Sequence, residues 1–256
     1  MQILCLLTTQ ENTMNTRLAL NSNETRYIQA NYRNLPVIDY RGPLVEKYLE
    51  KTYQTIESML AQYPRVFATR FDLMFPAHMQ SWSSNVISKF IDYFKAGIES
   101  YLKACGMEVD KCRPMFVWAK ERNNSMNSHY HVLLLLNRDV FFRSGRIVSD
   151  RPNTVSRIEA AWAKALNLSF EQARGLVNFP PNRDYAINRN SPDFYLQLAD
   201  LFYRASYLAK EDTKTYEDGS RSFSCSHKVE LPDNFNLAAL VEHGKASLNL
   251  AVGGEQ

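Results

Sequence analysis

The sequence predicts an α+β fold whose strands pair antiparallel, and three observations lead to this class. Helical periodicity and strand-like apolar segments occupy separate stretches of the chain. Two of the strand segments are separated only by turn-forming residues, which favours antiparallel pairing. The chain has 256 residues, 45% of them hydrophobic, and this is enough to bury a sizeable core.

The first predicted elements are bounded by prolines. Pro43 opens a helix, because proline is tolerated in the first helical turn, and Pro64 ends it. The segment Val66–Phe75 alternates between apolar and mixed residues, as a half-buried strand does, and Pro76 closes it. A helical stripe of large apolar residues then spans 82–104.

The second half of the chain begins with a predicted β-hairpin. Strands at Arg113–Lys120 and 129–136 flank a segment rich in Asn and Ser, which favours a tight turn. A helix is predicted near 154–166. The sequence Ser191-Pro192-Asp193 starts another helix that runs to about Ala209. Weaker strand predictions fall within 175–190 and 222–229.

These elements divide the chain into three predicted parts. Residues 1–42 are polar, rich in Asn and weakly patterned, which indicates an extended or partly ordered N-terminal arm. Residues 43–212 carry the strong helix and strand patterns and form the predicted domain. Residues 213–256 are a polar C-terminal tail.

Cysteine usage and hydropathy bear on the compartment. The four cysteines are scattered and form no C-x-x-C pair, which argues against a zinc ribbon and favours free thiols in a reducing cytoplasm. The apolar start, residues 1–8, is too short to span a bilayer and lacks the basic residues of a leader, so no membrane partner is predicted. Both Met1 and Met14 are compatible with the start of translation.

The overall charge does not identify a partner, but arginine clustering suggests one. A net charge of +3 neither requires nor excludes nucleic acid. Arg138, Arg143 and Arg146 open an arginine-rich stretch that fits either DNA phosphate contacts or a solvated loop, and the sequence leaves the two interpretations equal. Arg70, on the polar face of its predicted strand, is another candidate phosphate contact.

The strongest chemical signal is His129-Tyr130-His131 at the start of an apolar strand. Side chains alternate along a strand, so His129 and His131 point to one face. The predicted hairpin brings Glu121 back beside them, and two imidazoles with one carboxylate can hold a divalent metal while leaving positions open. The alternatives are an ordinary strand that carries two histidines and a solvated glutamate in a turn.

The second chemical signal is Tyr203, Tyr207 and Lys210, which share one face of a predicted helix. An amphipathic helix with aromatic core residues explains the same spacing. The core stripe can also be drawn through other residues, which leaves the two phenols and the ammonium available to a site. Metal and tyrosine together are suited to attack on a phosphodiester, since a nearby cation and a polarised phosphate both assist a phenol of high pKa.

Three motifs, taken in order, resemble those of the HUH endonucleases, the rolling-circle replication initiators. Phe67-Ala-Thr-Arg-Phe-Asp-Leu73 resembles their first motif, His129-Tyr130-His131 their second, and Tyr203-x-x-x-Tyr207-x-x-Lys210 their two-tyrosine third motif. The chain is most similar to the inovirus-type replication proteins of phages and prophages, the YagK/YfjJ-type family. Each motif alone is weak, whereas the ordered set is specific.

The resemblance implies a fold and an activity. It implies a central antiparallel sheet with the histidines on its open face and helices packed on the other face. It implies nicking of single-stranded or hairpin origin DNA, with Mg²⁺ or Mn²⁺ held by His129, His131 and Glu121. Tyr207 or Tyr203 would become joined to the 5′ phosphate, with Lys210 stabilising the attacking or leaving oxygen.

Two further expectations follow from the same comparison. The sequence has no G-x-x-x-x-G-K-[ST] phosphate-binding loop, so unwinding is expected from a partner helicase. Two other functions compete with the initiator: a DNA-binding regulator that keeps the fold without catalysis, and a related strand transferase of the transposase or relaxase type.

Overall fold

An antiparallel sheet lies at the centre of the structure. The computed structural model describes residues 24–77, 83–122, 128–147, 149, 152–211 and 221–253. The helices are α1 (Glu46–Gln62), α2 (Val86–Ala104), α3 (Thr154–Ala165), α4 (Phe194–Ser206) and α5 (Leu237–Gly253). The strands are β1 (Arg26–Tyr27), β2 (Asn31–Tyr32), β3 (Leu35–Pro36), β4 (Leu44–Val45), β5 (Arg65–Met74), β6 (Met115–Arg122), β7 (Ser128–Asn137), β8 (Val177–Asn178), β9 (Asp184–Asn188) and β10 (Phe223–Cys225).

The predicted α+β class and antiparallel sheet are confirmed. Within the described residues the main sheet has six strands in the order β10-β6-β7-β5-β8, and β9 also pairs with β5. The predicted hairpin is confirmed too, because β6 and β7 pair along their length. The helix predicted from Ser191 begins at Phe194 and gives way to a 3₁₀ turn at Tyr207–Ala209.

Helices cover both faces of the sheet, so the expectation of helices on one face is wrong. The side chains of β7 show this arrangement. Leu133 and Leu135 pack with residues of α1, α4 and α5, whereas Val132, Leu134 and Leu136 pack with α2 and α3. The reason is local, because a strand that is apolar at successive positions must bury both faces.

Within the described residues, segments 24–45 and 221–253 contribute to the packed body, although the sequence predicted an arm and a tail there. Tyr27, Leu35 and Ile38 are buried in the core that includes α1 and α4. On the C-terminal side, β10 pairs with β6, and Leu237 of α5 is fully buried. Strands β1 to β4 are two residues long, too short for an alternating pattern to reveal them in the sequence. Residues 1–23 lie outside the described residues.

Two observations concern the thiols and the hydropathy of the helices. Cys105, Cys112 and Cys225 are free thiols. Of the helices that the structure describes, none combines the length and the apolar character needed to cross a bilayer.

Candidate metal centre and tyrosine site

Strand register brings three candidate metal ligands together at one end of the sheet. Glu121 of β6 lies directly opposite His129 of β7, and His131 follows on the same face. Directly opposed residues in an antiparallel pair have Cβ atoms about 5 Å apart. The ligand atoms of Glu121, His129 and His131 accordingly all lie within 4.8 Å of one another. The hairpin therefore brings Glu121 beside the two histidines, as the sequence predicted.

The contacts within this cluster suit a shared proton or metal ion. Nε2 of His131 lies 3.0 Å from Oε2 of Glu121 and 3.2 Å from Nε2 of His129. Glu121 is only 2% exposed and His131 is buried, so water screens these groups little. Lone pairs facing one another at these distances repel unless a proton or a metal ion lies between them. Two imidazoles and a carboxylate form a donor set that divalent metals accept.

Asp72 of β5 is the residue that orients His131. It lies opposite His131 in the sheet, with its Oδ1 2.5 Å from Nδ1 of the imidazole, and Nη2 of Arg70 lies 3.0 Å from the same nitrogen. In a neutral imidazole whose Nδ1–H donates to Asp72, Nε2 presents its lone pair toward Glu121 and His129. The side-chain amide of Asn178 donates to Oδ2 of Asp72 at 3.1 Å and fixes the carboxylate in turn. Sequence analysis did not assign Asp72 this orienting role.

Neighbouring groups favour the charged form of the Asp72 carboxyl. Burial raises the pKa of its carboxyl, but the hydrogen bond from His131 and the charge of Arg70 outweigh burial and hold that pKa below its ordinary value. Nη2 of Arg70 lies 3.2 Å from Oδ1 of Asp72. Burial is also the main cause that lowers the pKa of Arg70, with the charge of Arg204 acting in the same direction.

Tyr207 lies against this cluster. Its ring meets His131 edge-on, with the ring centroids 5.2 Å apart. Two cations lie near the same ring, with Cζ of Arg70 5.0 Å and Nζ of Lys210 4.7 Å from its centroid. The structure therefore brings together the metal-type cluster, one phenol and two positive charges, as a phosphoryl-transfer site requires.

The turn that carries Tyr207 and Lys210 is anchored to the N-terminal strands. Lys210 forms an isolated β-bridge with Leu44 of β4. The guanidinium of Arg26 in β1 holds Glu211 through two contacts of 2.6 Å. Such bidentate pairs fix geometry as well as charge. Residues 24–45 thus position the site, which sequence analysis missed because it treated most of them as an arm.

Tyr203 lies away from the cluster. It is on α4, where it packs against the core, and the charge of Asp39 and the phenol of Tyr40 act on it. Burial, followed by these two groups, raises the pKa of its phenol. Among the described residues, no hydrogen bond or ring contact joins Tyr203 to His129 or His131. The shared helical face is interrupted because α4 ends at Ser206 and the next turn is 3₁₀.

Of the predicted DNA-binding arginines, one lies in the site and three lie elsewhere. Arg70 is buried in the site itself. Arg138 follows the far end of β7, roughly 20 Å from His131 at the usual rise of a strand. Arg143 and Arg146 border a separate cavity between the start of α3 and the segment after β7. These three arginines therefore do not join the cluster, and their role as phosphate contacts stays a prediction.

Removing the charge of Asp72 should weaken metal binding. Asp72→Asn keeps the shape of the side chain but loses the carboxylate that fixes the His131 tautomer. Loss of such an outer partner costs about 10–100-fold in metal affinity. Titration calorimetry with Mn²⁺ measures this change, and Asp200→Asn, an exposed change on α4, is the control. If the Asp72 variant and the wild type bind Mn²⁺ with equal affinity, Asp72 has only a structural role.

The fold and the site define an α+β protein with a buried His/Glu cluster beside a tyrosine. The chain belongs to the YagK/YfjJ C-terminal domain family, whose model matches residues 27–226. The uncharacterized protein YagK of Escherichia coli (strain K12) is 31% identical over 202 residues, covering 74% of this chain and 96% of YagK. The uncharacterized protein YfjJ of the same organism is 28% identical over 199 residues, covering 72% and 96%. No solved structure matches the chain significantly.

Proposed function

We propose that the protein is a metal-dependent endonuclease of the HUH type, which nicks and rejoins single-stranded DNA through Tyr207. The observation that carries the proposal is the contact between Tyr207 and His131, at 5.2 Å between ring centroids, inside a cluster that can hold a metal. A phenol at the edge of a buried core has no structural need for two histidines and a buried glutamate beside it. The resemblance of the three sequence motifs to rolling-circle initiators points in the same direction.

The residues present fit a divalent metal such as Mg²⁺ or Mn²⁺. Glu121, His129 and His131 would be its ligands, and Asp72 would hold His131 in the tautomer that offers Nε2. When bound, such an ion polarises a phosphate oxygen and neutralises charge that develops on it. Three protein ligands leave room for that oxygen and for water.

The covalent step follows from the groups around Tyr207. Its phenolic oxygen forms a bond to phosphorus while the bond from phosphorus to the 3′ oxygen breaks. The phenolic proton is lost and the leaving 3′ oxygen gains one, so the products are a 5′ phosphotyrosine and a free 3′ hydroxyl. Lys210 and Arg70 surround the ring with positive charge and stabilise the oxyanions on either side of this step.

Two unsatisfied guanidinium nitrogens support a phosphate partner. Among the described residues, the buried Nε atoms of Arg70 and Arg204 have no hydrogen-bond partner. Buried donors without acceptors are unfavourable, and a phosphate group offers several acceptors. Arg204 precedes Tyr207 by three residues and its charge acts on Arg70, so both guanidiniums would add positive charge for a phosphate beside the phenol.

The biological role we propose is initiation of rolling-circle replication of a phage or prophage element. The substrate is single-stranded or hairpin origin DNA, and the free 3′ hydroxyl primes synthesis. A partner helicase would supply unwinding. This role depends on the sequence resemblance, whereas the nicking chemistry is supported by the site geometry as well.

A covalent adduct assay tests the proposal. The wild-type protein is incubated with Mn²⁺ and a pool of 3′-end-labelled single-stranded oligonucleotides from the surrounding replicon, then separated on a denaturing gel. We expect a labelled band that survives denaturation, disappears with protease and is absent in excess chelator, because the tyrosine ester is covalent and the metal assists its formation. Binding without any adduct across the replicon would favour the non-catalytic regulator.

A further inference from the structure

A second cavity, separate from the metal centre, opens at the free edge of the main sheet. Its volume is about 650 Å³. One wall is the first half of α2, and the opposite wall is the edge strand β10 with the residues after it. Between them lie Trp118 and Tyr130, whose side chains belong to the α2 side of the sheet and meet edge-on at 5.5 Å. We refer to this cavity as the edge groove.

The charge of the edge groove has one sign. Lys95, Arg113 and Arg221 line it, together with His227. Its lining within the described residues contains no aspartate and no glutamate. No salt bridge links Lys95, Arg113 or Arg221 to any other described residue. Cations gathered without counter-ions raise the local concentration of anions, so the groove favours a negatively charged ligand.

The uncharged residues of the groove indicate which kind of anion fits it. Apolar side chains of Ile91, Met115 and Trp118 form part of the surface, and Ser88 and Ser224 add hydroxyls. A nucleic-acid strand presents this combination, because its phosphates are anionic while its bases have apolar faces and polar edges. In a duplex the base faces are stacked inside and cannot use the apolar lining. A peptide of acidic residues carries negative charge but has no flat apolar groups to contact the apolar lining, so it fits the groove less well.

The edge groove is also well placed relative to the metal centre. Tyr130 lies between His129 and His131 in β7, so its side chain emerges on the other face of the same strand end. The lining of the edge groove therefore reaches the end of the sheet that carries the metal centre, on the opposite face. We propose that the edge groove binds a single nucleic-acid strand through its phosphates. This goes beyond the proposed nicking function, since binding here requires neither metal nor Tyr207.

Charge reversal at two surfaces tests the proposal. Arg113→Glu/Arg221→Glu alters the edge groove, and Lys103→Glu/Arg174→Glu, at two exposed cations that do not line the groove, makes the same change of charge as the distant control. The affinity for a fluorescein-labelled mixed-sequence single strand is measured by anisotropy in chelator, at several salt concentrations. We expect the groove variant to lose at least about tenfold in affinity and about 1.4 from the salt slope, at ~0.7 per phosphate contact. The distant variant should lose less than about threefold.

The following outcomes would contradict the proposal that the edge groove binds a nucleic-acid strand. Equal losses in the two variants would show that only long-range charge matters, and a larger loss in the distant variant would place the strand outside the groove. Duplex of the same sequence binding as tightly as the single strand, or polyglutamate competing as well as unlabelled strand, would exclude the proposed ligand. Thermal unfolding of each variant checks that it is folded. Because chelator suppresses cleavage, the result does not depend on the nicking function.

Discussion

Replacing Tyr207 by Phe should abolish the covalent protein–DNA adduct. The phenyl ring retains its contacts with His131, Arg70 and Lys210, so the fold and the surrounding charges should persist. Only the attacking oxygen is lost, and a missing nucleophile lowers the rate by at least about 10³-fold. The measurement is the yield of protease-sensitive labelled band at saturating Mn²⁺, with DNA binding measured in parallel by anisotropy.

Tyr203→Phe is the matched control, because it makes the same chemical change four residues earlier. The sequence offered both tyrosines as nucleophiles, whereas the structure places only Tyr207 against His131. We expect the Tyr203 variant to retain most of the adduct. Partial adduct in both single variants, with none in the double variant, would support exchange between the two tyrosines. An adduct mapped by peptide mass to Tyr203 alone would contradict our assignment.

Replacing His131 by Ala should abolish metal binding and cleavage together. Its Nε2 faces Glu121 and His129, and its Nδ1 binds Asp72, so it is the centre of the cluster. Loss of an outer partner already costs about 10–100-fold in metal affinity, so loss of a ligand should exceed that range. Titration calorimetry with Mn²⁺ and the adduct assay measure the two effects on one preparation.

Two further variants make this result interpretable. Removing His131 leaves Glu121 and Asp72 buried without their shared partner, which can itself destabilise the fold. His129→Ala removes a ligand that is half-buried, and it should lose metal binding with a smaller change in thermal stability. His243→Ala changes an exposed histidine on α5 and should leave both readouts at wild-type values. A chelator-resistant adduct in the wild type would exclude a metal role altogether.

The sequence by itself determined the features that depend on neighbours along the chain. Alternation within one strand puts His129 and His131 on the same face, and a short turn returns Glu121 to them. Lys210 lies near Tyr207 because one turn of chain separates them. The α+β class followed from the same local periodicities. These predictions succeeded because period and turn chemistry fix them before any long-range contact forms.

Tertiary structure alone decided the features that depend on distant segments. Asp72 reaches His131 across 59 residues because β5 pairs with β7 in one particular register, and a shift of one residue would turn Asp72 to the other face. Tyr207 rather than Tyr203 contacts the cluster. This depends on the packing of α4 and on the ion pair between Arg26 and Glu211. No local pattern specifies such contacts, because they depend on which surfaces meet once the whole chain is folded.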